Sequence, residues 1–153
     1  MSGHRILPEA ARAHAEREIR DLLDRRSGPV IGMTSLAEGA DQLFARLVLE
    51  AGGTLHAVIP ARDYDTTFSG AGLTGYRQLL AVANEVVELD FDRSDEPAYL
   101  AAGHFVVEHC ELLVAVWDGQ PARGPGGTAD AVARARELGR DVLVTWPSGV
   151  RRT

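Results

Sequence analysis

The stretch that decides the fold of this chain is Gly32-Met33-Thr34-Ser35-Leu36-Ala37-Glu38-Gly39-Ala40-Asp41. It follows the apolar run 29–31, which predicts a buried strand, and it leads into residues 43–48, where apolar side chains recur at helical spacing. The segment between them is a small, polar turn bracketed by glycines. A turn of this kind lets a ligand approach backbone N–H groups at the positive end of a helix. We therefore expect a strand–turn–helix unit with a binding site in its turn.

The composition is that of an ordinary globular domain. The chain has 153 residues, 45% of them hydrophobic and 25% charged, which fits one domain spanning residues 1–153. Its net charge of -6 argues against general affinity for nucleic acid or anionic membranes. All 16 basic residues are arginine, so neither a Schiff-base lysine nor a phosphate-binding-loop lysine is present.

Cysteine usage and the N-terminal sequence predict a cytoplasmic protein. A single cysteine, Cys110, excludes an intramolecular disulfide and suits a reducing compartment. No apolar run approaches membrane-spanning length. Arg12, Glu16 and Glu18 lie where a signal peptide would need an apolar core.

Five predicted strands alternate with predicted helices along the chain. The strands are expected at 29–31, 54–60, 86–91, 112–117 and 141–146, and the helices at 8–26, 43–51, 76–84, 97–109 and 128–138. Residues 1–5 are too short and polar for a full strand, and residues 147–153 form a basic tail. The alternation predicts a three-layer α/β fold whose mainly parallel sheet has five or six strands and helices on both faces. In such sheets ligands bind beyond the carboxyl ends of the strands.

Residues 62–75 are polar and glycine-rich, and they predict a long loop. Gly70-Ala71-Gly72-Leu73-Thr74-Gly75 matches the dinucleotide pattern G-x-G-x-x-G, with Asp90 at a suitable distance. That pattern requires its first glycine at a strand end, whereas ten residues separate it from Pro60. We therefore interpret the segment as a flexible lid.

The histidines and Ser35 give little support for metal or nucleophilic chemistry. None of the five histidines forms the helical His pair or Cys-x-x-Cys spacing of zinc sites, so no metal and no cofactor is predicted. A nucleophile elbow needs glycines two residues either side of the serine, but Met33 and Ala37 stand there. Ser35 either donates a hydrogen bond to a ligand oxygen or caps the turn.

Three further features lie at predicted strand ends. Asp41 is either an ordinary helix-start residue or, with Glu38, an acceptor for sugar hydroxyls, and Asp118 faces the same choice. Gly124–Thr128 joins a glycine-rich loop to a helix N-terminus, which is the geometry of a phosphate or carboxylate site. Arg5 is a candidate charge partner for that anion.

Together these motifs resemble the SLOG superfamily. Residues 35–45, followed by a strand ending in Pro60, resemble its serine/glycine turn, and Gly3-His4-Arg5 resembles the Gly-His-Arg that follows its first strand. Pro125-Gly126-Gly127-Thr128 resembles a shortened P-G-G-x-G-T-x-x-E motif of the lonely-guy phosphoribohydrolases. Trp117-Asp118 with Gly127-Thr128 is similar to the nucleoside deoxyribosyltransferase pattern. Both enzyme types place glutamate three residues after the threonine, where this chain has Ala131.

The resemblance implies a single Rossmann-like domain that binds a nucleotide or related phosphorylated, ribose-containing ligand, as a sensor or binding domain. The alternative is an N-glycosidic hydrolase acting on nucleoside monophosphates, and a third interpretation is an interaction module with a vestigial pocket. The catalytic candidates are Glu38, Asp118 and Asp130. A homodimer is expected by analogy. The expected ligand-binding residues are Gly3, His4, Arg5, Thr34, Ser35, Glu38, Gly39, Asp41, Tyr64, Trp117, Asp118, Gly126, Gly127 and Thr128, with Tyr64 or Trp117 stacking on a base.

Overall fold

A computed structural model of the chain describes residues 1–152, so Thr153, the end of the predicted tail, lies outside the described residues. The strands of this part are β1 (Ser2–Gly3), β2 (Ile31–Thr34), β3 (Thr54–Ile59), β4 (Glu85–Glu88), β5 (Leu112–Val116) and β6 (Asp141–Thr145). The helices are α1 (Glu9–Arg25), α2 (Ala40–Glu50), α3 (Gly70–Val82), α4 (Glu96–Glu108) and α5 (Thr128–Glu137), with a short 3-10 helix at Tyr64–Thr67.

The strands form two parallel three-stranded sheets, in the orders β1-β5-β6 and β2-β3-β4. The prediction of one sheet with five or six strands is therefore wrong. The physical reason lies in β1, whose two residues pair with Ala115 and Val116 of β5. Towards the other sheet, Met1 N donates a hydrogen bond of 3.0 Å to Met33 O, which is too little for a ladder. This bond brings the edge strands β1 and β2 side by side.

Helices cover both faces of the strands, as predicted, because the side chains of β3 and β5 alternate between two cores. Val114 and Val116 pack in a core with residues of α1 and α2. Leu113 and Ala115 pack instead with residues of α4 and α5. A third core joins α2, β3 and α3 and contains the rings of Tyr64, Phe68 and Tyr76, with Tyr99 packed against it.

The position of β2 differs from the prediction. The strand begins at Ile31, which is 60% exposed, and continues through Gly32, Met33 and Thr34, all predicted to lie in the turn. Gly32 is needed for packing, since a Cβ there would lie 2.7 Å from Val48 Cγ2 on α2. The turn itself is therefore shortened to residues 35–39.

Residues 62–75 are not a loop. After the 3-10 helix, α3 begins at Gly70 and includes all three glycines of the G-x-G-x-x-G pattern. A Cβ at Gly72 would overlap with the carboxylate group of Glu38, and one at Gly75 would overlap with Gln42 Oε1. These glycines let α3 pack closely against the start of α2, which explains the pattern without a dinucleotide.

Candidate functional site

A cleft of about 450 Å³ lies beyond the carboxyl ends of the strands. Its walls come from the segment after β1, the turn after β2, the first turn of α4, the loop before α5 and the C-terminal segment. Both sheets thus contribute to one site, as expected for a parallel α/β fold. Ten of the predicted ligand-binding residues line it: Gly3, His4, Arg5, Ser35, Asp41, Tyr64, Trp117, Gly126, Gly127 and Thr128. Four others, Thr34, Glu38, Gly39 and Asp118, are not among its lining residues.

The turn between β2 and α2 is a closed junction. Thr34 Oγ1 accepts the N–H of Leu36 at 3.2 Å, and the Asp41 carboxylate accepts the N–H of Ala37 at 3.4 Å. Leu36 is fully buried with φ of 60°, a strained conformation for a leucine. The N–H of Ala40, the first residue of α2, donates to His4 O at 3.1 Å. The chain after β1 therefore occupies the space in front of this helix.

Asp41 lies at the inner wall of the cleft. It is 6% exposed, and burial raises the pKa of its carboxyl group, an effect opposed by its hydrogen bonds within the turn. Asp41 thus fixes the helix start and also lines the cleft, while its role as an acceptor for sugar hydroxyls stays a prediction.

Glu38 points away from the cleft towards α3. Its carboxylate lies so close to Gly72, in the first turn of that helix, that the position has no room for a side chain. A negative charge at a helix N-terminus is favourable. Gln42 supports the same contact, since its Nε2 donates to Gly72 O at 3.0 Å and to Leu36 O at 3.2 Å.

The loop before α5 keeps its helix N-terminus open to the cleft. Asp130 Oδ2 accepts the N–H of Gly126 at 2.8 Å, which anchors the loop to the helix that follows it. Thr128 and Ala129, the first two helical residues, line the cleft, and the first N–H groups of a helix lack intrahelical partners. Ser2 Oγ donates to Thr128 Oγ1 at 3.2 Å, so hydroxyl groups lie beside these N–H groups. This arrangement suits an anion.

His4 and Asp118 form a buried network with the C-terminal segment. Arg152 Nη1 lies 3.3 Å from His4 Nδ1, and arginine can only donate, so Nδ1 is the acceptor. The ring proton is then on Nε2, which donates to Asp118 Oδ1 at 3.1 Å. Arg152 Nε lies 3.5 Å from Asp118 Oδ2, and the Trp146 ring meets the His4 ring edge-on at 5.4 Å.

The pKa values of this pair follow from burial and neighbouring charge. Burial lowers the pKa of His4, and the hydrogen bond to Asp118 opposes that effect only in part. For Asp118, burial acts to raise the pKa, but the N–H of Gln120, the His4 hydrogen bond and the Arg152 charge outweigh it, so the pKa lies below the usual range. His4 is thus held neutral beside an ionised Asp118.

The predicted catalytic carboxylates are all engaged elsewhere in the structure. Asp118 belongs to the His4 network, Asp130 holds the Gly126 N–H, and Glu38 lies against α3. Among residues 1–152, the acidic side chains that line the cleft are Asp41 and Glu96. Ala131, where the resembling enzymes have glutamate, is 4% exposed and lies in the core between α4 and α5.

Among the cleft residues that sequence reasoning missed, four have charged or aromatic side chains: Glu96, Tyr99, Arg123 and Arg152. For Glu96 and Tyr99 a signal exists, because α4 begins at the same sheet edge as the predicted site and its first turn must lie there. Arg152 carries no local signal, since only the folded chain brings the tail to β1. Of the predicted stacking rings, Tyr64 is 1% exposed, and Trp117 Nε1 donates to Gln120 O in its own loop at 2.8 Å.

Arg5 is the cleft cation with the greatest freedom. Its side chain is exposed, and it forms no salt bridge with any residue of 1–152. Its guanidinium lies over the Tyr99 ring, with Cζ 5.7 Å from the ring centroid. A cation without a carboxylate partner, near an open helix N-terminus, raises the positive potential of the cleft.

Within residues 1–152, no group of three or more His, Cys, Asp or Glu side chains is placed to hold a metal ion. No helix in that part of the chain combines the length and apolar character needed to cross a membrane.

Comparison with known proteins supports the fold. No family model and no curated protein matches the chain. DNA processing protein A from Streptococcus pneumoniae is similar in structure, with a TM-score of 0.69 and 20% identity over 93% of this chain. The structural-genomics target TM1055 has a TM-score of 0.55 and 18% identity over 92% of this chain. The chain spans 47% of the first structure and 67% of the second. The fold is thus Rossmann-like α/β, and at these identities the likeness concerns the fold alone.

Proposed function

We propose that this chain binds a nucleotide or a related phosphorylated, ribose-containing ligand in the cleft, as a sensor or binding domain. The observation that carries the proposal is the convergence of an open helix N-terminus with an unpaired arginine. The phosphate lies at the start of α5, where the backbone N–H groups of Gly127 and Thr128 and the Thr128 hydroxyl group meet it, while the Gly126 N–H is already bonded to Asp130. Arg5 adds a charge that forms no salt bridge within residues 1–152, although it acts at longer range on the buried Asp41 carboxyl group.

The sugar would lie between this phosphate site and the inner wall. Ser35 and Asp41 line that wall, and their oxygens are suited to hydrogen bonds with ribose hydroxyls. The volume of about 450 Å³ is within the range of small-molecule pockets. Gly39 and Asp118 support the site indirectly. Gly39 lets the backbone of Arg5 approach the start of α2, and Asp118 accepts the hydrogen bond from the His4 ring.

The alternative function, N-glycosidic hydrolysis of a nucleoside monophosphate, needs a carboxylate at the sugar. The three candidates for that role are held in other contacts, and Ala131 offers no acid. These contacts favour binding over turnover. That the chain forms a homodimer stays a prediction, and light scattering of the purified chain would test it. The expected lack of nucleic-acid, membrane, metal or cofactor partners also stays a prediction.

The binding proposal predicts a thermal shift that depends on Arg5. A ligand at about 100 times its dissociation constant stabilises by about 2.7 kcal/mol, or about 5–10 °C in a domain of this size. A panel of ribonucleoside 5′-monophosphates should contain such a ligand, whereas free bases should give no shift. Arg5→Ala should weaken binding about ten- to hundredfold, because it removes a charge-assisted contact.

The control for this variant is Arg17→Ala, which removes an exposed arginine on α1 far from the cleft. Both variants should melt at the wild-type temperature without ligand. A flat response across the whole nucleotide panel would contradict the proposal. An equal loss of affinity in Arg5→Ala and Arg17→Ala would show that only net charge matters.

A further inference from the structure

Tyr99 is a cleft residue that neither the sequence motifs nor the phosphate site explains. It lies in the first turn of α4, is half-buried, and presents its ring to the guanidinium of Arg5 at 5.7 Å. The loop before α5 passes directly beside it, since a Cβ at Gly126 would lie 2.8 Å from Tyr99 Cβ. The Tyr99 ring therefore lies next to the proposed phosphate site.

The ring is supported from behind by a packed aromatic cluster. Tyr64, itself buried, meets Tyr99 at a centroid distance of 6.4 Å and an angle of 66°. Tyr64 also packs edge-on against Phe68 and Tyr76 at 5.0 and 5.5 Å, and those two rings stack at 4.5 Å. A ring fixed in this way is a rigid surface, so little conformational entropy is lost when a ligand stacks on it.

Arg5 can act as a movable cover over that surface. Each pair of stacked layers needs about 3.5–4.0 Å, so a planar group between guanidinium and phenol needs about 7–8 Å. The present separation is 5.7 Å. Because Arg5 is exposed and held by no salt bridge within residues 1–152, its long side chain can make room by a small rotation.

We infer that Tyr99 is the base-recognition residue of the cleft: an aromatic base stacks on its ring beneath Arg5, so that the site selects base-bearing nucleotides over base-free sugar phosphates. The inference rests on the proposed function and names the part of the ligand that lies away from the phosphate. Tyr64 is too deeply buried for this role, and Tyr99 is favoured over Trp117 because its ring adjoins both Arg5 and Gly126.

The test is calorimetric titration of the full chain with the four ribonucleoside 5′-monophosphates and with ribose 5-phosphate. Stacking of a base on an aromatic ring corresponds to about a five- to hundredfold change in affinity on removal of the ring. Tyr99→Leu should lose that factor for the preferred nucleotide and leave ribose 5-phosphate within about twofold, because the sugar phosphate does not reach the ring. Tyr99→Phe should retain nucleotide affinity, because it keeps the ring.

The control is Phe105→Leu, which removes a half-buried ring from the same helix outside the cleft. Melting curves of all variants without ligand identify any that fail to fold, and Tyr99→Phe keeps the test decisive in that case. If the wild type prefers no nucleotide over ribose 5-phosphate, or if Tyr99→Leu keeps the preference, the inference is wrong while the proposed function stands. If the wild type binds neither class of probe, the proposed function itself fails.

Discussion

The start of α2 and the start of α5 have the same sequence signature, but the N-terminus of α2 is covered by protein backbone whereas that of α5 faces the cleft. Each helix follows a parallel strand and has a glycine as its N-terminal cap, Gly39 in one case and Gly127 in the other. In front of α2 lies the backbone of His4 and Arg5, and Leu36 and Ala37 close the turn from the side. In front of α5 lies the cleft.

The difference teaches that a glycine before a helix does not by itself define an anion site. What matters is which chain segment fills the space that the helix dipole faces. At α2 the carbonyl oxygen of His4, in the segment after β1, accepts the N–H of Ala40 and so occupies the place of a phosphate oxygen. At α5 the acid that could fill the space, Asp130, bonds instead to the loop at Gly126 and leaves the first turn accessible.

The largest expected effect concerns the first turn of α5. Thr128 and Ala129 line the cleft but Ala131 does not, so a side chain added at Ala131 would enter the core. That residue is 4% exposed in the core between α4 and α5. The helix N-terminus alone would favour a carboxylate at this position. Burial reverses the expectation: Ala131→Glu should cost at least about 3 kcal/mol, from overpacking and an unpaired buried charge. Chemical denaturation measures this cost.

Ala133→Glu is the matched control, because the same substitution two residues on falls on the exposed side of the helix. It should change stability by no more than about 0.5 kcal/mol. A stable Ala131→Glu chain with its new carboxylate in the cleft would mean that the α5 turn is more open than described. Slow release of base from a bound nucleotide by that variant would then revive the hydrolase hypothesis.

A smaller loss of stability is expected for Gly39→Ala, which tests the closure of the α2 turn. Gly39 has φ of 78°, and a Cβ there would overlap with the Arg5 carbonyl oxygen. We expect a cost of about 2–3 kcal/mol, since strain from the positive φ and a backbone clash add. Gly119→Ala isolates the first term, because Gly119 has φ of 80° and open space around it. Its cost should be about 1 kcal/mol; equal costs in urea titrations would disprove the close approach.

The sequence predicted the fold class because periodicity and glycine punctuation are local. The apolar strand that became β5 and the helix stopped before Gly52 needed no tertiary information. β2 was displaced in the prediction because Gly32 looks like a turn residue. It is in fact a strand residue in close contact with Val48, a contact that lies 16 positions along the chain. The split into two sheets depends on the length of β1, and hydrophobic periodicity in the sequence does not predict the length of so short a strand.

The sequence predicted that a site would lie at the carboxyl ends of the strands, but it predicted only some of the residues that line the cleft there. Strand ends share one edge in any parallel sheet, so Arg5, Ser35 and Thr128 could be expected together. The orientation of Glu38 depends on the packing of the first part of α3, residues 70–75, which was predicted as a loop. Tyr99 lacked a motif, although its place in the first turn of α4 could have indicated it.

The smallest expected effect concerns His4, which connects the two turns. Its carbonyl oxygen accepts the first N–H of α2, while its ring bonds to Asp118 at the start of the loop before α5. The folded-state pKa of His4 is lowered from the ordinary value of 6.5, mainly by burial. Well above pH 6.5 the ring is neutral in both folded and unfolded chains, so His4 does not change the free energy of unfolding there. As the pH falls below that value the unfolded chain takes up the proton first, and stability declines until the pH passes the folded-state pKa.

The melting temperature should therefore fall modestly between about pH 7 and pH 5, a window above the ordinary pKa range of Asp118. His4→Gln should flatten this decline, because the glutamine amide keeps a donor for Asp118 and has no group that titrates there. A protonated His4 would also face the Arg152 guanidinium, so acidification should loosen the C-terminal segment from the cleft. Proton exchange of backbone amides near residues 146–152 reports that motion. An identical pH profile in wild type and His4→Gln would contradict this account, because it would mean that the His4 ring does not couple the start of α2 to the loop before α5.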